Sequence, residues 1–143
     1  MIKNTDKITE KELDRIIDIW LASNIEAHPF VDRAYWKSHQ EEVREALPHS
    51  DLSYYEIDGE IVGFIGIVDG YIAGIFVDSQ YRGKRIGKQL LDDAKAKNNH
   101  LELSVYKENK AAVHFYLREE FKIVKEEFDE ETNQWDCLME WEK

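Results

Sequence analysis

VDSQYRGKRIGKQLL, residues Val77–Leu91, joins two kinds of periodicity through a glycine-bearing loop, and its reading decides the architecture. Before it, Tyr71–Val77 is a β-branched and aromatic run. After it, Ile86, Leu90, Leu91 and Ala94 recur on one face of a helix. Leu101, Leu103 and Val105 then alternate as a short strand, so the unit is β-loop-α-β and requires a parallel neighbour for the strand that ends at Val77.

Upstream, Leu52–Ile57, Ile61–Val68 and Tyr71–Val77 are separated by Asp58-Gly59 and Asp69-Gly70, both preferred dipeptides of two-residue hairpins. They predict a three-strand antiparallel meander. Further upstream, Thr9 and Glu12 form a capping-box pattern ahead of Leu13, Ile16, Ile17, Trp20 and Leu21 at helical spacing. Asp32 caps a second helix with Trp36, Val43, Ala46 and Leu47, which Pro48 stops, and His28–Val31 is the corner between the two. Downstream, Asn109 caps a helix bearing Val113, Tyr116 and Leu117, and Phe121–Phe128 with Gln134–Trp141 reads as a terminal hairpin. The class is α/β with a mixed sheet. With no linker or repeat, residues 1–143 are expected to be a single domain.

Thirty acidic against 19 basic side chains leave a formal charge of −11, which argues against nucleic acid and anionic membrane as partners. One cysteine, Cys137, excludes an intrachain disulfide and a cysteine-built zinc site. The opening MIKNTDKITEKEL has no apolar signal-peptide core, and no run approaches a membrane span, so a cytoplasmic protein is expected. His39, His49, His100 and His114 have no metal-ligand spacing, and no metal is expected. Trp135, Cys137, Met139 and Trp141 alternate as one packed sheet face.

The charge is uneven. Residues 80–97 carry net +4, whereas residues 119–143 carry net −7. The basic stretch falls where Gly83 and Gly87 lead into a helix, so backbone N–H groups and the positive helix end converge on a site suited to an anion. A Walker A loop needs four residues between its glycines, but here there are three, and Gln89 follows Lys88 in place of serine or threonine. The dinucleotide fingerprint fails on spacing as well. A basic loop that merely connects two elements fits the same residues.

Gln80, Gly83 and Gly87 in VDSQYRGKRIGKQLL resemble the acyl-CoA pyrophosphate loop of the GNAT superfamily of N-acyltransferases, Q/R-x-x-G-x-G/A before an amphipathic helix. Arg85 departs from the usual glycine or alanine. In VYKENKAAVHFYLREEF, Val105–Phe121, Asn109, Ala112, Phe115, Tyr116 and Phe121 resemble the family's second block, while Glu120 stands where glycine is common. His28–Phe30 and Tyr35–Trp36 are similar to a small bacterial branch of acetyltransferases. The resemblance implies an N-acetyltransferase that uses acetyl-CoA as cosubstrate. It implies that the strand ending at Val77 splays from its parallel neighbour, that main-chain groups of Phe76 and Val77 hold the thioester arm, and that Arg82, Gly83, Lys84, Arg85, Ile86, Gly87 and Lys88 take the pyrophosphate. Asn109 would contact the pantetheine, and Tyr116 would be the general acid.

The base is left among His28, Asp69, Tyr71 and water. His28 has a suitable unperturbed pKa, but its position also fits a packed or capping histidine. The acceptor is a primary amine of a small molecule, peptide or protein, and the acidic surface mildly favours a cationic one. A non-catalytic acyl-CoA-binding module and an interaction domain with a basic docking loop are the competing readings. A homodimer through the terminal strands fits the pattern.

Overall fold

The computed structural model describes residues 1–143 as seven strands and five α-helices. Strand β1 is Ile2–Thr5, followed by helices α1 (Glu10–Ala27), α2 (Arg33–Ser38) and α3 (Gln40–Ala46). Strands β2 (Asp51–Ile57), β3 (Glu60–Val68) and β4 (Tyr71–Val77) form the meander. Helix α4 (Ile86–Lys97), strand β5 (His100–Tyr106), helix α5 (Lys110–Arg118) and strands β6 (Lys122–Asp129) and β7 (Gln134–Glu142) complete the chain. The sheet order is β1-β2-β3-β4-β5-β7-β6, with β4 and β5 the parallel pair.

Local chemistry explains most boundaries. Thr9 and Glu12 exchange side-chain and backbone hydrogen bonds as a full capping box on α1. Asp58-Gly59 and Asp69-Gly70 all have positive φ, the requirement of the two-residue turn whose twist matches a hairpin. Asp69 is thereby a turn residue. The helix expected to run from Asp32 to Pro48 breaks at His39 instead. Ser38 Oγ and His39 Nδ1 both bond the Tyr35 carbonyl, at 2.7 Å each, and this side-chain competition disrupts the backbone ladder. A 3-10 turn, Leu47–His49, follows α3. Strand β1 lies outside the expected set and closes the free edge of β2.

Two apolar layers flank the sheet. On one face, Leu13, Ile16, Ile17 and Trp20 of α1 pack with Trp36, Leu52 and Phe64; on the other, Ile86, Leu90, Leu91 and Ala94 of α4 pack with Val62, Ile65, Leu101, Leu103 and Met139. Fully burying a residue such as Leu90 or Leu91 is worth about 1.5–3 kcal/mol, so these two stripes hold the helices to the sheet. Strand β3 is buried from Ile61 to Ile67 because helices cover both of its faces. Cys137, Met139 and Trp141 point inward as the alternation requires. Trp135 does not: it lies one residue beyond Asp136, the last partner of β5, and is half exposed against the Phe128 ring. No helix is long and apolar enough to cross a membrane.

Candidate active site

The parallel junction is nearly absent. Tyr71 pairs with Glu102, and no later residue of β4 pairs with β5, so the strands part and leave a gap under α5. Asp78 N–H donates to Val62 O at 2.8 Å on the other edge of β4. Because antiparallel pairs alternate, Phe64–Phe76 is the next bonded pair, and the backbone groups of Ile75 and Val77 face the gap. The expectation that gave Phe76 and Val77 the same main-chain role is therefore corrected. Val77 presents N–H and C=O, while Phe76 presents its ring.

Three cavities adjoin along this gap. The first, about 480 Å³, is lined by Gly83, Arg85, Ile86, Gly87, Lys88 and Arg118, among others. It shares Val77, Arg82, Gly87 and Phe115 with a second of about 560 Å³, which reaches His28, Asn109 and Tyr116. That one shares His28, Phe76, Asn109 and Tyr116 with a third of about 390 Å³, walled by Trp20, Tyr35, Trp36, Tyr71 and Tyr106. A basic basin, a channel and an aromatic chamber form one path.

The basin is built by the loop. Asp78 caps the 3-10 turn Ser79–Tyr81, and Arg15 of α1 bonds Asp78 Oδ2 at 2.7 Å, fixing the start of the loop. No side chain caps α4, so the amides of its first turn remain available to an anion. A Cβ at Gly83 would meet nothing within 4 Å, and one at Gly87 would make only ordinary contacts, so these glycines keep the basin wide without being demanded by packing. The cations differ in readiness. Arg82 pairs with Glu26, and Lys88 pairs with Asp92 and Glu119 at 3.1 Å each, whereas Lys84, Arg85 and Arg118 make no ion pair. The donor set and free amides fit a diphosphate group.

Arg85, where the family pattern has a small residue, has φ +59°, and Glu120, where glycine is common, has φ +74°. Both departures put a side chain on left-handed backbone. Glu120 N–H donates to Leu117 O and Phe121 N–H to Tyr116 O, which is the Schellman pattern ending α5, and the Phe121 and Tyr116 rings meet edge to face at 5.6 Å. This C-terminal lock holds Tyr116 in place. Burial pushes its phenol well above the ordinary value, so it stays protonated.

His28 caps the C-terminus of α1 and is buried, stacked on Trp36 at 5.1 Å. Its Nδ1 lies 2.9 Å from Asn24 O, an acceptor, and so carries the proton. Nε2 faces Asn109 Nδ2, and burial holds the imidazole pKa below its usual value. Neither the pairing of His28 with Asn109 nor the approach of Asp129 and Asp136 to the chamber was read from the sequence. His100, Glu102 and Glu140 also gather their ligand atoms within 4.8 Å of one another, at the opposite end of β5 from Tyr106.

Residues 9–142 match the family model described as acetyltransferase (GNAT) domain. The chain is 34% identical over 132 residues, 91% of its own length and 90% of the relative's, to the peptidyl-lysine N-acetyltransferase YiaC of Escherichia coli strain K12. The solution structure of apo YjaB from Escherichia coli superposes with a TM-score of 0.84 at 23% identity, covering 99% of this chain and 96% of that one. The PaiA N-acetyltransferase of Thermoplasma acidophilum, solved in complex with coenzyme A, gives 0.78 at 21% identity, covering 100% and 99%. A mixed sheet split beside a basic, glycine-bearing loop defines an acyltransferase class of fold. This chain belongs to the GNAT acetyltransferase family, and it is an N-acetyltransferase.

Proposed function

We propose that the protein transfers an acetyl group from acetyl-CoA to the side-chain amine of lysine in a peptide or protein, by direct attack. The observation that carries this reading is the position of Tyr116: it lines both the channel that continues from the basic basin and the aromatic chamber. The peptidyl-lysine acceptor is supported by the name of the relative YiaC, and coenzyme A by the PaiA complex.

The thioester supplies an electrophilic carbonyl and a thiolate leaving group. The amides of the loop and of the first turn of α4, with Arg85, Lys88 and Arg118 of the basin wall, hold the diphosphate. The pantetheine arm lies along the gap against Ile75 and Val77, taking the place of the missing β5 partner for their main-chain groups. As the amine nitrogen bonds to the carbonyl carbon, the carbon–sulfur bond breaks, and Tyr116 delivers its proton to the departing sulfur. The amine's surplus proton passes to Nε2 of His28, the ring nitrogen without a hydrogen, displacing the Asn109 amide from it.

Acetyl-CoA is expected to raise the melting temperature, and free CoA is expected to appear when a lysine peptide is added. Binding without CoA release across a panel of peptide and small-molecule amines would favour the non-catalytic module instead.

A further inference from the structure

The aromatic chamber has one acidic wall. Asp136 of β7 stands opposite Tyr106 of β5 and opposite Glu127 of β6, and Asp129 closes β6 beside it. Both aspartates line the chamber. Neither makes an ion pair, and the nearby Lys107 is taken by Glu126 at 2.9 Å. Asp129 bonds the Glu131 amide and the Thr132 hydroxyl, whereas Asp136 has no hydrogen-bond partner within the chain. Like charges placed opposite one another in a ladder are destabilising, so this wall costs stability in the free protein.

The rest of the chamber offers no counter-charge. No lysine or arginine lines it, and His28 is kept neutral by burial. Burial together with Asp129 and Glu127 pushes the Asp136 carboxyl up to about 6, the mark of an anion lacking a cation. The walls are aromatic, which suits a cation over ring faces. Trp36, in the same wall, carries the one buried side-chain polar atom with no partner, its indole Nε1. The hairpin that carries the two aspartates is tied across the chamber by His39 Nε2 and Glu131 Oε1 at 3.2 Å, which joins it to the corner between α2 and α3.

We infer that Asp136 and Asp129 form the recognition site for the positively charged side chain of the acceptor, selecting an ammonium group at the end of an apolar stem over a neutral side chain of the same shape. The inference rests on the reading of this gap as the acetyl-transfer centre and names the residues that set its acceptor specificity. The ammonium is the prevailing form of a lysine at neutral pH, so it docks charged and gives one proton to solvent water on leaving the aspartates; the neutral amine then attacks, and its surplus proton passes to His28.

The test uses the full chain saturated with CoA, which cannot turn over, and two peptides that differ only in lysine or norleucine. The wild type is expected to bind the lysine peptide about tenfold or more tightly than the norleucine peptide, the worth of a charge-assisted hydrogen bond. Asp136→Asn should bring the two affinities together by weakening the lysine peptide alone, with Asp129→Asn a smaller step in the same direction. Unchanged norleucine affinity and an unchanged CoA-induced melting shift certify that each variant is folded; should Asp136→Asn not fold, Asp129→Asn and the salt dependence of lysine-peptide affinity carry the test. Equal affinities in the wild type, or a lysine preference that survives both variants, overturns the inference. If the wild type still acetylates the lysine peptide in that case, the proposed function stands; if it neither binds CoA nor transfers, the underlying reading falls.

Discussion

Nε2 of His28 and Nδ2 of Asn109 lie 3.2 Å apart, joining the end of α1 to the start of α5 across 81 residues of chain. The polarity of this contact follows from its flanks. Asn109 Oδ1 accepts from Ala112 N–H as the helix cap, which leaves the amide nitrogen toward His28, while the Asn24 carbonyl takes the proton of Nδ1. The lone pair therefore sits on Nε2, inside the gap. A helix cap thus orients the imidazole.

His28→Gln is expected to remove an acidic limb from the pH dependence of kcat/KM, and that limb should lie below pH 6.5 because burial lowers the folded pKa. The stability consequence has the matching sign. A histidine kept neutral by the fold takes up a proton more readily when unfolded, so its contribution is present above about pH 6.5 and is lost as pH falls through that value. Thermal melts between pH 5 and 8 should show a smaller acid-side loss in the variant. An unchanged limb would remove His28 from the proton path.

Tyr116→Phe should lower the rate constant of transfer by about a hundredfold while leaving acetyl-CoA affinity nearly unchanged, since the ring and its packing on Phe121 remain. Single-turnover kinetics with calorimetric binding separates the two. Turnover equal to the wild type would refute the general-acid role.

Arg85→Gly and Glu120→Gly should each stabilise the fold by about 1 kcal/mol, because an L side chain is strained on left-handed backbone. For a chain of this size the melting temperature should rise by about 3 °C. The functional outcomes differ. Arg85→Gly removes an unpaired cation from the basin and should weaken CoA binding, whereas Glu120→Gly should leave it alone.

Gly74→Ala should impair transfer more than stability. A Cβ at Gly74 would overlap the Phe76 ring, and Phe76 lines both the channel and the chamber. Displacing it should raise KM for the amine, and Gly74→Ala combined with Phe76→Leu should recover part of the loss. Steady-state kinetics on the single and double variants checks this.

Asp136→Asn should raise the melting temperature at pH 7–8 and lose that advantage near pH 4. The folded carboxyl titrates at about 6, above its unfolded value of about 3.8, so ionisation at neutral pH opposes folding and protonation relieves it. Melts of both proteins across this range give the crossover directly.

Most of the scaffold was legible because its signals are local. The capping box at Thr9, the two Asp-Gly turns, the apolar face of α4 and the glycine loop each act within a few residues, and each lies where expected. Strand β1 has no signature in the sequence because four residues with no buried side chain carry no alternation; it exists only because β2 has a free edge. The break at His39 depended on two side chains turning back to one carbonyl, a choice that spacing does not encode.

The residues of the site were named by the chain order of two blocks, but their partners were not. Asn109 stands out in the primary structure as a helix cap and Gly83 and Gly87 as the punctuation of a basic loop, whereas Tyr116 is singled out only by the resemblance to the family's second block. What only the folded molecule decided was that Val77, not Phe76, turns its main chain to the gap, that Asn109 meets His28, and that two aspartates of the last hairpin face the aromatic chamber. Ladder phase and contacts between distant segments arise from how the sheet is assembled, and a carboxylate in an acidic hairpin looks the same in sequence whether it points to water or to a cavity.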